Sequence, residues 1–207
     1  MQKRFIRISI YFLLICGIIL LIFPVCWFPS FYDVRYMGWS ALAGAVAIFF
    51  LPKTLRVLPE TQQAERKNQA ANFFQFGLAV AVMNNALGDM GLYQLYRVGF
   101  EYDKFIHFAT SFLAVLFLSI ILCERFDVSI FKSILIAFAF VIACALLWEI
   151  FEFASDYFWK THIFGVYGFD KINDTKFDLI FGVFGALLGA AAAVFKERKK
   201  VAIKNSN

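Results

Sequence analysis

Long apolar runs separated by short polar segments dominate the chain. A helix needs about 20 mostly apolar residues to cross a bilayer, and six runs approach or reach that length. They lie at about residues 5–23, 34–51, 71–87, 104–122, 130–153 and 176–195. The pattern predicts an all-α, polytopic membrane protein, with a bundle of about six transmembrane helices in a single domain, residues 1–207.

The first apolar run follows the segment "MQKRFIR", which is typical of the front of a secretory signal peptide. No small-residue cleavage site follows, and the apolar stretch is long. We therefore interpret this run as a membrane helix that stays in the protein.

Composition supports the membrane class. Hydrophobic residues make up 61% of the 207 residues, and the mean hydropathy is +0.71. Charged residues make up only 17%, whereas soluble domains have about 25%. The four cysteines have neither metal-ligand nor disulfide spacing.

The net charge of +5 is unevenly distributed along the chain. With a cytoplasmic N-terminus and six spans, most of the 20 basic residues fall in cytoplasmic segments, and most of the 15 acidic residues fall on the other side. Cytoplasmic loops of membrane proteins carry such an excess of lysine and arginine. We therefore predict cytoplasmic termini, a long cytoplasmic loop at Lys53–Gln69 and a disordered basic tail at 196–207. No nucleic-acid partner is expected.

Polar residues converge at the predicted outer ends of four helices. They are Asn84, Asn85 and Asp89 on the third helix, Asp103 and His107 on the fourth, Glu149, Glu152 and Asp156 on the fifth, and Asp174 and Asp178 on the sixth. Spacings of three and four residues put members of each set on one helix face. The sequence therefore predicts a polar pocket that opens to the extracytoplasmic side.

Small residues indicate that the carboxylate face of the sixth helix is packed. The stripe through Asp178 continues through Gly182, Gly185 and Gly189, and small residues let membrane helices approach closely. Several carboxylates in one pocket repel each other, so they need protons, basic partners or a cation. Candidate basic partners are Arg97, Lys104, Lys171 and Lys176.

A divalent cation would neutralise such a pocket, because carboxylates and imidazole are common metal ligands. The predicted ligands are Asp103, His107, Glu149 and Asp178. With one histidine as the main nitrogen donor, zinc, manganese, iron and magnesium are all candidates.

The first functional hypothesis is a metal-dependent membrane hydrolase that hydrolyses or modifies a lipid or a lipid-linked envelope molecule. Glu152 is then the general base on metal-held water, and Asp174 is a second catalytic residue. Asn85, Asp89 and Tyr93 are the predicted substrate-binding residues. Membrane lipids and a lipid-linked envelope precursor are the expected partners.

Two alternatives belong to other classes of protein. Buried acids also mark the paths of proton- or ion-coupled transporters, although no broken helix pair or internal repeat supports that class here. The polar cluster is otherwise a structural element of a non-catalytic envelope-binding or assembly protein. Single residues also have simpler interpretations: Asp103 and Asp174 as helix N-caps, and Asp156 as a solvated residue beyond the fifth helix.

The segment "GLYQLYRVGFEY", Gly91–Tyr102, is rich in aromatic residues. Its tyrosines either anchor the chain at the head-group level or cover the pocket and contact a head group or sugar. A second outer loop contains Gly165 and Gly168, and we consider it as a flexible lid.

The motifs "NNALGD", "DKFIHFATSFLAV", "WEIFEF" and "NDTKFDLIFGVFGALLGA" together resemble the YjdF-type family of bacterial inner-membrane proteins of unknown function. The chain is more distantly similar to the VanZ-like family, which is associated with glycopeptide resistance. That family has a glutamate with a downstream glutamine where this chain has "WEIFE". The resemblance implies a multi-pass protein of the bacterial inner membrane and cell envelope, and it implies no reaction.

Overall fold

The computed structural model describes residues 1–29, 31, 33–56, 61–160 and 170–205. Six long α-helices make up most of this part of the chain, which contains no β-strand. In chain order they are α1 (Gln2–Ile22), α2 (Val34–Thr54), α3 (Gln62–Asp89), α4 (Tyr102–Phe126), α5 (Ile130–Trp159) and α6 (Lys171–Asn205). Short 3₁₀ helices, Val25–Trp27 and Leu92–Val98, follow α1 and α3. The all-α prediction is confirmed.

Five of these helices, all except α3, are long and apolar enough to cross a membrane. Polar side chains interrupt the apolar run of α3, which is about 42 Å long at 1.5 Å per residue. In the first half of α3, Asn72 accepts a hydrogen bond from Arg56, just beyond the end of α2. Near its end, the Asn84 carbonyl oxygen accepts one from Tyr102, at the start of α4. The third helix therefore runs the full length of the bundle, antiparallel to α2 and α4.

The helix boundaries differ most from the prediction at α3 and α6. The structure begins α3 at Gln62, inside the predicted cytoplasmic loop, because the Thr61 hydroxyl accepts a hydrogen bond from Ala64 N at 3.2 Å. At the other end of the chain, α6 continues to Asn205, so the prediction of a disordered tail is wrong for residues 196–205. Hydropathy finds only the apolar part of a helix, whereas lysine, arginine and glutamate are also good helix formers.

The bundle consists of two three-helix halves that meet where α3 packs against α4. In the first half, α1 packs against α2 and α3 around a core that includes Leu13, Ala45, Ile48 and Ala79. In the second half, α4 packs against both α5 and α6 around Val115, Ala137, Val141 and Ala186. This arrangement brings the starts of α4 and α6 and the end of α5 together at one end of the bundle.

Glycines allow α4 and α6 to approach closely. A Cβ atom on Gly185 would overlap the carbonyl oxygen of Phe108, and one on Gly189 would overlap that of Phe112. Asp178 lies on the same stripe of α6 and is only 5% exposed. The prediction that the carboxylate face of α6 is packed is therefore confirmed.

Large apolar side chains cover the outside of α5. They include Phe131, Leu135, Phe140, Leu147 and Ile150, each of them exposed. An exposed apolar surface of this extent suits contact with lipid chains. The protein is therefore a multi-pass membrane protein by both sequence and fold.

Candidate functional site

Lys104 occupies the centre of the polar cluster at the shared end of α4, α5 and α6. Its ammonium group donates hydrogen bonds to Asp174 Oδ1 and, at 2.7 Å, to Asp178 Oδ1. The Asp103 carboxylate lies 3.5 Å away. Lys104 is 6% exposed, so it bridges α4 to α6 from inside the bundle.

Asp103, His107 and Asp178 form a group that is able to hold a metal ion. One ligand atom from each residue lies within 4.8 Å of the other two. His107 Nε2 is 3.7 Å from Asp103 Oδ1 and 3.9 Å from Asp178 Oδ1. The helical spacing of Asp103 and His107 is thus realised, and α6 supplies the third residue.

Glu149 is buried beside this group on α5. It is 6% exposed, and its Oε1 atom has no hydrogen-bond partner among the described residues. The carboxylate also interacts with Thr175 through a side-chain hydrogen bond and electrostatically with Lys104. A buried carboxylate oxygen without a donor is costly. Glu149, the fourth predicted metal ligand, is not part of the group whose ligand atoms lie within 4.8 Å of one another.

Glu152 lies one turn further along α5 and is partly exposed. Its Oε1 atom accepts a hydrogen bond from the Trp148 indole nitrogen at 2.7 Å. It interacts electrostatically with Glu149, Asp103 and Asp178. The structure therefore places Glu152 on the α5 side of the same acidic cluster.

An aromatic recess opens above Lys104. It is lined by Tyr93, Tyr96, Glu101, Tyr102, Asp103, Lys104 and Asp174. The Tyr93 hydroxyl donates a hydrogen bond to Asn85 Oδ1 at 3.0 Å. Three of the lining residues also belong to the charged cluster, so a molecule that enters the recess reaches that cluster directly.

Asp89 lies apart from this recess. It is 8% exposed at the end of α3, beside a small apolar cavity lined by Leu20, Met37, Ala41, Ala86 and Met90. It also interacts electrostatically with Tyr36 of α2, as does Glu152. Among the predicted substrate-binding residues, Tyr93 and its partner Asn85 therefore adjoin the recess, whereas Asp89 borders a different cavity.

The simpler interpretations of three aspartates are wrong. Asp103 and Asp174 lie inside the first turns of α4 and α6 and are not N-caps, since α4 is preceded by Glu101 and α6 begins at Lys171. Asp156 lies within α5, where its Oδ2 atom is 3.4 Å from Lys171 Nζ. Each helix extends beyond the apolar run from which it was predicted, so all three residues lie inside a helix.

The sequence prediction did not identify the central position of Lys104 in the cluster. Lys104 was one of four candidate basic partners, yet it makes the shortest contacts in the cluster. The available signal is a lysine at the mouth of an apolar run, between Asp103 and His107. The lid predicted at Gly165 and Gly168 lies outside the described residues.

Comparison with known proteins identifies a family. Residues 11–199 match the sequence profile of the family described as "Predicted membrane protein (DUF2238)". The chain belongs to this family. The match includes every residue of the polar cluster and supports a membrane protein family of unknown function. Neither a curated protein nor a solved structure matches this member of the family.

Proposed function

We propose that this protein binds a divalent metal ion at Asp103, His107 and Asp178 and uses it to modify a lipid or lipid-linked substrate. One observation carries the proposal: the three residues offer ligand atoms within 4.8 Å of one another. Two carboxylates and one imidazole suit zinc, manganese or iron, and magnesium suits the carboxylates. Glu149, whose Oε1 atom has no hydrogen-bond partner in the described part of the chain, would be the fourth ligand in this scheme.

The net charge of the cluster also favours a cation. Three aspartates surround Lys104, and Glu149 and Glu152 lie beside them. One ammonium cannot balance this number of carboxylates at membrane depth, where an uncompensated charge costs about 3 kcal/mol or more. A divalent ion supplies the missing positive charge without further side chains.

A bound divalent ion supplies Lewis acidity and lowers the pKa of its water. Glu152, whose Oε1 atom accepts a hydrogen bond from the Trp148 indole, would be the general base in this scheme. Asp174 holds Lys104 in position and so orients the charge of the cluster. The tyrosine recess above Lys104 is only about the size of a water molecule, so a polar head group would contact its rim from outside, which suits a lipid whose chains remain in the bilayer.

The resemblance to the YjdF-type family gives this proposal a cellular setting. It suggests the inner membrane of a bacterium, with the recess on the extracytoplasmic side. Envelope lipids and lipid-linked precursors are then the accessible substrates. The more distant similarity to the VanZ-like family agrees with an envelope role.

A structural role for the cluster is the second candidate, and Lys104 favours it. The lysine joins α4 to α6 through Asp174 and Asp178. These contacts lie at the start of α6, before the glycines that pack against α4. In this case the cluster holds helices together and has no substrate. A transporter has less support, because the buried carboxylates among the described residues, Asp89, Glu149 and Asp178, all lie at one end.

Elemental analysis of the full-length protein purified in detergent tests the metal site. We expect about one equivalent of zinc, manganese or iron in the wild type, and a loss of most of it in His107→Ala and Glu149→Gln. Asp156→Asn is the matched control, since Asp156 is an acid of α5 that pairs with Lys171 instead. Titration with Mg²⁺ tests for an ion that binds too weakly to remain through purification.

If the protein holds none of the four metals, even after incubation with each of them, the proposal is contradicted and the structural role of the cluster is supported instead. If a metal is found, catalysis is tested with the protein in vesicles of phosphatidylethanolamine and phosphatidylglycerol. Mass spectrometry should detect a released head group or modified lipid that Glu152→Gln abolishes without losing the metal.

A further inference from the structure

The Lys104 ammonium occupies a position among carboxylates that suits a cation. It contacts Asp174 Oδ1 and lies 2.7 Å from Asp178 Oδ1 and 3.5 Å from Asp103 Oδ2. These three carboxylates come from two helices and converge on one nitrogen atom. The lysine side chain is 7% exposed, so water contributes little to its solvation.

The lysine and the proposed metal ion share their carboxylates. Asp178 Oδ1 faces both Lys104 Nζ, at 2.7 Å, and His107 Nε2, at 3.9 Å. Asp103 directs Oδ2 toward Lys104, at 3.5 Å, and Oδ1 toward His107, at 3.7 Å. An ion held by Asp103, His107 and Asp178 would therefore lie next to the ammonium and draw on the same negative charge.

We propose that Lys104 is an internal counter-cation that offsets one negative charge of the cluster and so weakens the binding of a divalent ion. The inference rests on the metal site proposed above. With the aspartates ionised, three negative charges face one ammonium, and Lys104 offsets one of them. A divalent ion therefore meets less uncompensated negative charge than it would without the lysine.

Removal of the ammonium should have two consequences. First, the site should bind a divalent ion more tightly, because two positive charges a few ångströms apart repel each other even in a well-screened environment. Second, three carboxylates without a lysine should destabilise the α4–α6 interface until a cation enters. Lys104→Met removes the charge and keeps an unbranched apolar stem of similar length.

The experiment measures Mn²⁺ affinity by calorimetry and thermal stability by unfolding in detergent, for the full-length protein. Lys104→Met is compared with wild type and Lys104→Arg, which keeps the charge. Lys171→Met is the matched control, since it removes a lysine from an aspartate pair at the same end of the bundle.

We expect Lys104→Met to bind Mn²⁺ at least about tenfold more tightly than wild type, and both other variants to stay within about threefold. In EDTA, Lys104→Met should have a lower Tm than wild type. Excess Mn²⁺ should restore most of that loss in Lys104→Met, and it should raise the Tm of Lys171→Met only by as much as it raises that of wild type.

Unchanged or weaker Mn²⁺ binding by Lys104→Met would overturn the proposal. So would a loss of folded Lys104→Met that Mn²⁺ in the growth medium and buffers does not prevent. The two proposals fail separately. If wild type holds no metal but Lys104→Met does, the counter-cation role stands and the metal-dependent function fails. If wild type holds metal and Lys104→Met binds it equally, only the counter-cation role fails.

Discussion

Lys104 Nζ and Asp178 Oδ1 lie 2.7 Å apart between α4 and α6, and both side chains are almost completely buried. The pair fixes the two helices at the site end, whereas Gly185 and Gly189 bring them together further along. Close helix packing and the polar site are therefore properties of a single interface. Stability and metal binding are expected to respond together to changes there.

Asp178→Asn should destabilise the protein by about 1–3 kcal/mol, because Lys104 loses one charged acceptor but keeps Asp174 and Asp103. The measurement is the free energy of unfolding in detergent. Lys67→Ala is the control, since Lys67 pairs with the exposed Asp127 at 3.3 Å at the opposite end. It should change stability by about 0.5 kcal/mol or less. Equal losses in the two variants would contradict a special role for the buried pair.

Gly185→Ala should destabilise the bundle by about 1–3 kcal/mol through overpacking. Its Cβ atom would overlap a backbone oxygen of α4, which is unable to move away without shifting the helix. Gly182→Ala is the matched control on the same stripe, because its Cβ atom would lie 3.4 Å from Ser111 Oγ, an ordinary contact. Thermal unfolding of both variants tests this prediction. A lower Tm for Gly182→Ala than for Gly185→Ala would contradict the close approach of Gly185 to α4.

Gln75 stabilises a proline-containing turn of α2 from the neighbouring helix. Pro52 has no N–H group, so the Ile48 carbonyl oxygen lacks its partner within the helix. Gln75 Nε2 supplies a hydrogen bond to that oxygen at 2.9 Å, in a buried position. Gln75→Leu should therefore cost about 1–3 kcal/mol of stability.

A double-mutant cycle separates this contact from general packing. In a Pro52→Ala background the helix regains its own N–H donor, and Gln75→Leu should cost distinctly less there. The free energies of unfolding of the four proteins give the coupling. A cost that is equal in both backgrounds would indicate that Gln75 acts through packing or through its hydrogen bond with Arg56.

The orientation of the bundle is testable by cysteine labelling of a variant without its four native cysteines. Glu101 is exposed at the site end, and Arg198 is exposed near the other end of α6. A membrane-impermeant maleimide should label Glu101→Cys in intact cells and Arg198→Cys only after permeabilisation. The reverse pattern would place the site in the cytoplasm and remove outer-leaflet lipids as substrates.

Much of the site was predictable because helical spacing is a local property. Asp103 and His107 lie one turn apart in any α-helix, and the glycine stripe of α6 indicated a packed face. The direction of Lys104 was not predictable in this way. Its long side chain had several acids within reach, and only the position of α6 beside α4 selects Asp174 and Asp178.

The third helix is a second example of a feature that the sequence alone does not predict. Its amide side chains lower its hydropathy, because a sequence window counts Gln75 as polar without knowing its partner. In the fold, Gln75 is buried and bonded to Ile48, so its polarity is compatible with the bundle interior. Hydropathy measures the transfer of isolated residues and omits hydrogen bonds between helices.

The amino-acid sequence by itself determined the membrane class, the helical architecture and the collection of acids at the ends of several helices. These follow from hydrophobic burial and helical periodicity, which depend on neighbours along the chain. The tertiary structure alone decided that α4 and α6 enclose Lys104 among three aspartates, that Glu149 Oε1 is buried with no hydrogen-bond partner among the described residues and that Asp89 lines a different cavity from Tyr93. Those contacts join residues as many as 74 positions apart, and they depend on which helix faces pack together.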